Sequence, residues 1–285
     1  MEHDRGLFFD RSPLMHRRNL LKLLAGAGVV TLAGCTSSKQ TASSGTVSTA
    51  GAADTSGSSS SGTVTDTTAT EASCSPIPEE TAGPFPGNGS NGPNALSESG
   101  IVRRDIRSSF GSAAGIAKGA PATVRLTLLG AGNGCTPLSG AAVHLWHCDR
   151  EGRYSLYSEG VAGENYLRGV QESDATGVVT FVSIFPGCYS GRWPHIHFEV
   201  YASLDDATSG GEQIATSQIA LPADACNAVF ASAGYEQSIP NLGRTSLETD
   251  SVFADDGGVH ELAAVTGSVE KGYAIALTVP VSRRS

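Results

Sequence analysis

The sequence lacks several features that define common classes of protein. No two of its six cysteines are spaced C-x-x-C, so a metal site built from cysteines is disfavoured. The apolar run near the N-terminus is shorter than a typical membrane-spanning helix. Positive charge is scarce, because 19 Lys and Arg face 28 Asp and Glu and leave a net charge of −9. An acidic chain of this kind is poorly suited to binding phosphates, and we predict no nucleic-acid partner.

Residues 15–35, MHRRNLLKLLAGAGVVTLAGC, have the composition of a bacterial export signal: basic residues, an apolar run, then small residues. RRNLLK resembles the twin-arginine signal, and LAGC resembles a lipoprotein cleavage box with Cys35 as the acylated residue. An anchor helix that is never cleaved is the alternative, and translation from Met1 or Met15 stays open. Loss of residues 1–34 would bring the net charge to −11. We expect export, with the protein lipid-anchored to the cell envelope or secreted.

Residues 36–73 are mostly Ser, Thr, Gly and Ala and contain no aromatic residue. Such a segment cannot bury enough apolar surface to offset the entropy lost on ordering. We therefore predict a flexible tether over residues 35–73, between a lipidated Cys35 in the membrane and a folded domain over residues 74–285.

Five cysteines remain once Cys35 is set aside, which is an odd number. They are Cys74, Cys135, Cys148, Cys188 and Cys226. In an exported protein we expect one or two disulfides and one free thiol among them, with the pairing left open.

Short runs of β-branched and aromatic residues recur after residue 120, separated by Gly, Pro, Asp and Asn. The predicted strands are 122–130, 141–148, 177–185, 194–202, 213–221 and 273–281. Only residues 222–235 look helical, and there is no internal repeat and no alternation of strands with helices. These features predict an all-β fold, an antiparallel two-sheet β-sandwich with short loop helices.

The segment GCYSGRWPHIHFEV, residues 187–200, places two histidines two residues apart on a predicted strand. His195 and His197 would therefore share one face, with their Cα atoms about 6.6 Å apart. Taken alone, such a pair is more often hydrogen-bonded at a sheet surface than bound to a metal. Tyr189 lies in the preceding turn, and Tyr154 follows an earlier strand. Two phenolates and two imidazoles, without a thiolate or a third histidine, favour Fe(III) over zinc or copper.

Four segments carry a resemblance to a known family. They are CSPIPEETAGPFP (74–86), VHLWHCDREGRYSLY (143–157), YLRGVQESDATGVVTFVSIFPGCYSGRWPHIHFEVY (166–201) and TSQIAL (216–221). In this order, their G-x-Y, P-G-x-Y and R-x-x-H-x-H motifs resemble the intradiol ring-cleavage dioxygenases, which include protocatechuate 3,4-dioxygenase and catechol 1,2-dioxygenase. The resemblance is strongest to the exported, single-chain branch of that family.

The resemblance implies four iron ligands and two further catalytic residues. The ligands are Tyr154, Tyr189, His195 and His197, with Fe(III) as the cofactor. Tyr189 is the phenolate that leaves the iron when substrate binds, and Arg192 stabilises charge on the substrate ring. Gln218 matches a family glutamine near the same pocket, although a polar residue on a strand has an ordinary structural explanation as well.

Several nearby residues are expected to have structural roles instead. Tyr157 and Tyr166 are expected to pack or to line the pocket, and His144 and His147 are not expected to be ligands. Thr81, Gly83 and Pro84 match the family loop that covers the site. The family often has a large aromatic residue where Cys188 stands, and a disulfide from Cys188 would reshape the pocket. Residues 222–285 match no motif beyond a plausible final strand.

The resemblance implies an enzyme that inserts O2 into catechol-type aromatic substrates and cleaves the ring between the two hydroxyl-bearing carbons, giving cis,cis-muconate-type products. The alternative is a catalytically inactive β-sandwich module that binds aromatics or sugars. A zinc or copper protein using only the two histidines would leave Tyr154 and Tyr189 without a role. The sequence leaves a homodimer open.

Overall fold

The computed structural model describes residues 74–132 and 134–282, and these ranges contain two β-sheets. The predicted signal peptide of residues 1–34, the lipidated Cys35 and the tether of residues 35–73 lie outside the described residues. Their boundaries therefore stay predictions. None of the helices in the two described ranges has the length and apolar composition that crossing a bilayer requires.

One sheet, called the site sheet below, has four antiparallel strands. In their order across the sheet they are β4 (Arg168–Glu172), β3 (Ala142–Trp146), β6 (His195–Tyr201) and β7 (Gln213–Ala220). The strands of the second sheet are β1 (Pro121–Gly130), β2 (Thr136–Pro137), β5 (Val178–Ile184), β8 (Ala264–Ser268) and β9 (Gly272–Val281). Their order across the sheet is β2-β1-β9-β8, and β5 pairs with β1 as well.

The core lies between the inner faces of these sheets, as period-two alternation requires. Val124, Leu126 and Leu128 of β1 are fully buried, while Arg125 between them is exposed. From the site sheet, alternate residues of β6, including Ile196 and Phe198, belong to the same apolar cluster. The residues between them on β6 therefore point to the outer face of the site sheet.

The helices are short and lie in the connections. They are α1 (Leu204–Ser209), α2 (Ala223–Phe230), α3 (Ser238–Leu242) and a 3-10 turn over Phe253–Asp255. The predicted helical stretch 222–235 is helical only over α2, because a turn at 231–234 ends it.

The all-β sandwich prediction is confirmed, with one difference in strand direction. All pairs in the site sheet are antiparallel, but β1 pairs with β9 in parallel. The two strands are more than 140 residues apart along the chain, and alternation within each strand carries no information about the direction of its partner.

The cysteines differ from expectation. Cys74 and Cys135 form a disulfide, with their Cα atoms 5.8 Å apart. This bridge agrees with the expectation of one or two disulfides. Cys148, Cys188 and Cys226 are all free and buried, so the expectation of a single free thiol is wrong, as is a disulfide from Cys188. The Cys148 and Cys188 thiols lie 3.5 Å from backbone carbonyl oxygens, and all three side chains pack as small apolar groups.

Candidate functional site

Four side-chain donor atoms meet on the outer face of the site sheet. The Nε2 atoms of His195 and His197 are 3.0 Å apart. Tyr189 Oη lies 3.2 Å from His195 Nε2, and Tyr154 Oη lies 3.1 Å from His197 Nε2. Tyr154, His195 and His197 are buried, whereas Tyr189 is half-buried. The structure therefore brings together all four residues that the sequence proposed as metal ligands.

Strand β6 and two loops explain this convergence. His195 and His197 share the outer face of β6 because they are two residues apart. The loop before Tyr154 is closed by Asp149, whose Oδ1 accepts hydrogen bonds from the backbone N–H groups of Glu151 and Arg153. Gly152 in this loop has a φ of +82°, and a Cβ there would lie 3.1 Å from Tyr189 Cβ. Glycine at this position thus allows the two tyrosine loops to pack against each other.

The tautomer of His195 can be inferred from its second contact. Nδ1 of His195 lies 2.6 Å from the carbonyl oxygen of Trp193, so this nitrogen donates a proton and Nε2 carries the lone pair. The His197 ring stacks on Trp146 with centroids 5.0 Å apart. Burial, followed by the charge of Arg192, lowers the pKa of His195 to about 3. A neutral imidazole is the form that binds a metal ion.

The phenols are held in their neutral form by the protein alone. Burial raises the pKa of Tyr189 to about 12 against the opposing effect of Arg192. Burial and the neighbouring Tyr189 raise the pKa of Tyr154 well above its usual range. A strongly charged cation is needed to ionise both, because metal coordination favours the deprotonated form of a ligand. Two lone-pair nitrogens and two hard oxygens fit Fe(III), and the described residues contain no alternative cluster of three His, Cys, Asp or Glu.

Arg192 and Gln218 lie beside these donors and are bonded to each other. Arg192 Nη2 donates to Gln218 Oε1 at 2.7 Å, and Gln218 Nε2 donates to the Thr81 carbonyl at 2.8 Å. Arg192 Nε donates to Asp250 Oδ2 at 2.9 Å. Burial opposes ionisation of Asp250, but Arg192 and backbone N–H groups outweigh burial and hold its pKa below the usual value.

Asp250 is a site residue that the sequence did not reveal. It lies in LETDSVFADD, a segment with several acidic residues and no recognisable motif. Nothing in its local pattern distinguishes it from the exposed carboxylates around it, so no sequence signal could have identified it.

The site is covered by residues 79–87, called the wall segment below. Its Glu80 N–H donates to the Thr216 carbonyl on β7. Its Phe85 ring packs on Tyr154 with centroids 4.9 Å apart. A Cβ added to Gly83 would lie 3.2 Å from His197 Cε1. The resemblance correctly placed Gly83 next to the site, and the contact explains why a small residue suits that position.

The remaining aromatic and histidine residues have other partners. Tyr157 Oη accepts a hydrogen bond from Gly87 N–H, and Tyr166 Oη donates to Asp149. His144 Nδ1 lies 3.2 Å from Glu199, and His147 Nε2 lies 2.7 Å from Ser183 Oγ. None of these four side chains contributes an atom to the group of four donors.

Comparisons with known proteins find similarity to dioxygenases. A family model described as Dioxygenase matches residues 112–225. An intradiol ring-cleavage dioxygenase from Tetranychus urticae is similar in structure, with a TM-score of 0.56, 25% identity, and coverage of 74% of this chain and 98% of that one. The dioxygenase Tetur07g02040 has a TM-score of 0.59 and 25% identity, covering 74% and 97% of the two chains. No curated protein matches the sequence.

The family match includes the loop of Tyr154, the turn of Tyr189 and strand β6 with its histidines. The two similar structures extend the likeness across nearly their whole length. The chain is therefore similar in sequence to a dioxygenase family model over residues 112–225, and in structure to an intradiol ring-cleavage dioxygenase.

Proposed function

We propose that the protein is a non-haem Fe(III) dioxygenase that cleaves catechol-type substrates between their two hydroxyl-bearing carbons and gives cis,cis-muconate-type products. The observation that carries this proposal is the convergence of two imidazole Nε2 atoms and two phenol Oη atoms, of which three lie within 3.5 Å of the fourth, His195 Nε2. The similarity to a dioxygenase family model and to an intradiol ring-cleavage dioxygenase supports the choice of O2 chemistry.

Tyr154, Tyr189, His195 and His197 would hold the iron. Bound Fe(III) supplies Lewis acidity and a template on which catechol and O2 react. The two imidazoles bring no charge, and the two phenolates offset two of the three positive charges of the ion.

Tyr189 differs from Tyr154 in a way that suits it to proton transfer. Its side chain is half-buried, whereas Tyr154 is buried beneath Phe85. We assign to Tyr189 Oη the acceptance of a proton from a catechol hydroxyl, and to Tyr154 a permanent place in the donor set.

Arg192 and the wall segment act on the substrate in other ways. The guanidinium provides a fixed positive charge beside the donors, which stabilises negative charge developing on the catechol ring. Gln218 links Arg192 to Thr81 and fixes the guanidinium plane. Phe85 and Gly83 close the site from the side of the wall segment and limit the access of water.

A visible spectrum of the purified, iron-loaded protein tests the proposal directly. We expect a red protein whose absorption band moves to longer wavelength when catechol is added under argon. Y154F and Y189F should each weaken or shift that band, whereas Y273F, a core tyrosine in β9, should leave it unchanged. A protein that stays colourless after iron loading would overturn the proposal and return the site to an inactive binding module.

We also propose export and lipid attachment through Cys35, which the sequence alone supports. The full chain expressed in a bacterial host should be found in the membrane fraction. C35S should release it into the soluble fraction without changing its fold, because the described domain begins at residue 74. Equal membrane association of wild type and C35S would contradict the lipid anchor and favour the uncleaved anchor helix.

A further inference from the structure

Asp250 is fully buried and makes contacts with two parts of the chain. Its Oδ2 accepts hydrogen bonds from Arg192 Nε at 2.9 Å and from Trp193 N–H at 2.6 Å. Its Oδ1 accepts from the backbone N–H groups of Val252 and Phe253 at 2.9 and 3.2 Å. One carboxylate therefore joins the residues just before β6 to the 3-10 turn that begins at Phe253.

These contacts determine how Arg192 presents its guanidinium. The Nε–H of Arg192 donates a hydrogen bond to Asp250, and one Nη2 hydrogen donates to Gln218. Within the described ranges no side chain or carbonyl accepts a hydrogen bond from Nη1. Because Nε and Nη2 are both hydrogen-bonded, the orientation of the guanidinium plane is fixed. Nη1 stays free to bind a ligand.

The surroundings show that this arrangement lies beside the four donor atoms. The Phe253 ring packs against His195, with centroids 6.4 Å apart, and lies 6.0 Å from Arg192 Cζ. The family match ends at residue 225, so Asp250 comes from the part of the chain beyond it. This later segment thus reaches back and contacts the site through one carboxylate and one aromatic ring.

We propose that Asp250 is a positioning residue that holds Arg192 with its free guanidinium nitrogen directed at the bound catechol ring. The inference rests on the proposed function, because it assigns to Arg192 the stabilisation of charge on that ring. Asp250 itself does not touch the substrate and acts through Arg192. The buried carboxylate also balances the charge of the buried guanidinium, which lets Arg192 remain charged away from water.

A double-mutant cycle separates this role from a merely structural one. D250N should keep the iron content and the visible band of the wild type while kcat/KM falls about 10–100-fold, as expected when a catalytic group is misplaced. R192Q should lower kcat/KM at least as much. The double variant D250N/R192Q should match R192Q within about twofold, because Asp250 has nothing left to position.

D105N is the matched control, because Asp105 also pairs with an arginine, Arg107, through Nε and Nη2 but at the exposed surface. It should leave kcat/KM and the visible band unchanged. Losses that multiply in D250N/R192Q would overturn the positioning role, as would a D250N enzyme with the kcat/KM of the wild type.

A second measurement on the full-length protein does not depend on activity or on D250N folding. The Nε–H of Arg192, assigned in an NMR spectrum by its loss in R192Q, should exchange with solvent at least tenfold more slowly than the Nε–H of Arg107. Equal exchange rates would overturn the hold of Asp250 on Arg192. A wild-type enzyme that binds iron and cleaves no catechol would overturn the proposed function instead. The exchange rates would still test whether Asp250 holds Arg192 through its Nε–H.

Discussion

Gly83 shows how a single backbone position can constrain the proposed iron site. Its φ is +69°, and a Cβ there would lie 3.2 Å from His197 Cε1. G83A should therefore cost about 1 kcal/mol of stability from backbone strain. It should also displace His197 and weaken iron binding on the order of tenfold, a loss equivalent to about 1.4 kcal/mol.

Iron titration and urea unfolding of G83A distinguish these two effects. G92A is the control, because Gly92 also has a positive φ, +101°, but nothing within 4 Å of its added Cβ. G92A should show the loss of stability without the loss of iron affinity. Equal iron affinities in G83A and wild type would show that the His197 ring can move without consequence.

Glu261 makes the stability of the fold depend on pH. Its side chain is 1% exposed, and burial, followed by the charges of Asp256 and Glu80, raises its pKa from 4.5 to about 8. Between these values the folded state binds more protons than the unfolded state, so stability falls as the pH rises from about 5 to 8. E261Q should remove this decline.

Urea unfolding at pH 5, 7 and 9 measures the effect. E261Q should be more stable than the wild type at pH 9, and the difference should shrink towards pH 5. E248Q, which alters an exposed carboxyl whose pKa is lowered by Ser246, should show no such gain at pH 9. A constant difference between E261Q and wild type at all three pH values would contradict the assignment.

At the scale of single residues, the sequence predicted the site residues that belong to a motif. It missed those that act through a contact with a distant part of the chain. Tyr154, Tyr189, His195 and His197 stand at spacings that a known family shares, and the structure brings their donor atoms together. The contribution of Asp250 depends on a hydrogen bond across 58 residues of chain. No local pattern encodes a contact of that range.

Strand β6 shows the same limit at the scale of elements. HIHFEVY alternates as a half-exposed strand does, yet all seven residues are buried. The inner residues pack in the core, while the outer ones are covered by the wall segment and by neighbouring loops. Alternation correctly separated the two faces, but it could not show that the polar face is covered by another part of the chain.

The strands that the sequence missed are those with little apolar alternation. Strand β4, RGVQE, contains one aliphatic residue beyond glycine, and β8, AVTGS, has no fully buried residue. Both are held by pairing with a stronger neighbour, β3 and β9 respectively. Their formation depends on that neighbour more than on their own composition.

Arg168 on β4 joins three elements around the site. Its Nη1 donates to the Pro86 carbonyl of the wall segment at 2.8 Å. Its Nη2 and Nε donate to the carbonyl and hydroxyl oxygens of Ser155 at 2.9 and 3.1 Å. R168M keeps much of the apolar stem but leaves these buried oxygens unpaired, and should lower stability by about 2–4 kcal/mol.

Urea unfolding of R168M, with R125M as control, measures this contribution. Arg125 lies on β1 with its side chain exposed, so R125M should change the free energy of unfolding by less than about 0.5 kcal/mol. R168M should also weaken iron binding, because Ser155 adjoins Tyr154. If R168M and R125M are equally stable, the wall segment is held by its other contacts.

At the scale of the whole molecule, the Cys74–Cys135 disulfide closes a long loop. The two residues are 61 positions apart, and the bond limits the freedom of the unfolded chain between them. Replacing both in C74S/C135S should cost about 4 kcal/mol by the entropy of loop closure. Unfolding of the oxidised and reduced wild type should show the same difference, and identical unfolding midpoints would contradict it.

The disulfide also separates the site from whatever pulls on the N-terminus. The wall segment begins five residues after Cys74, and Ile77 N–H adds a second attachment, to the Pro280 carbonyl of β9. A mechanical load applied ahead of residue 74 would pass through the disulfide bond into the turn that holds Cys135, where β1 meets β2. The load would bypass Gly83 and Phe85, so tension on the N-terminal side of residue 74 would leave the spacing of the four donor atoms unchanged.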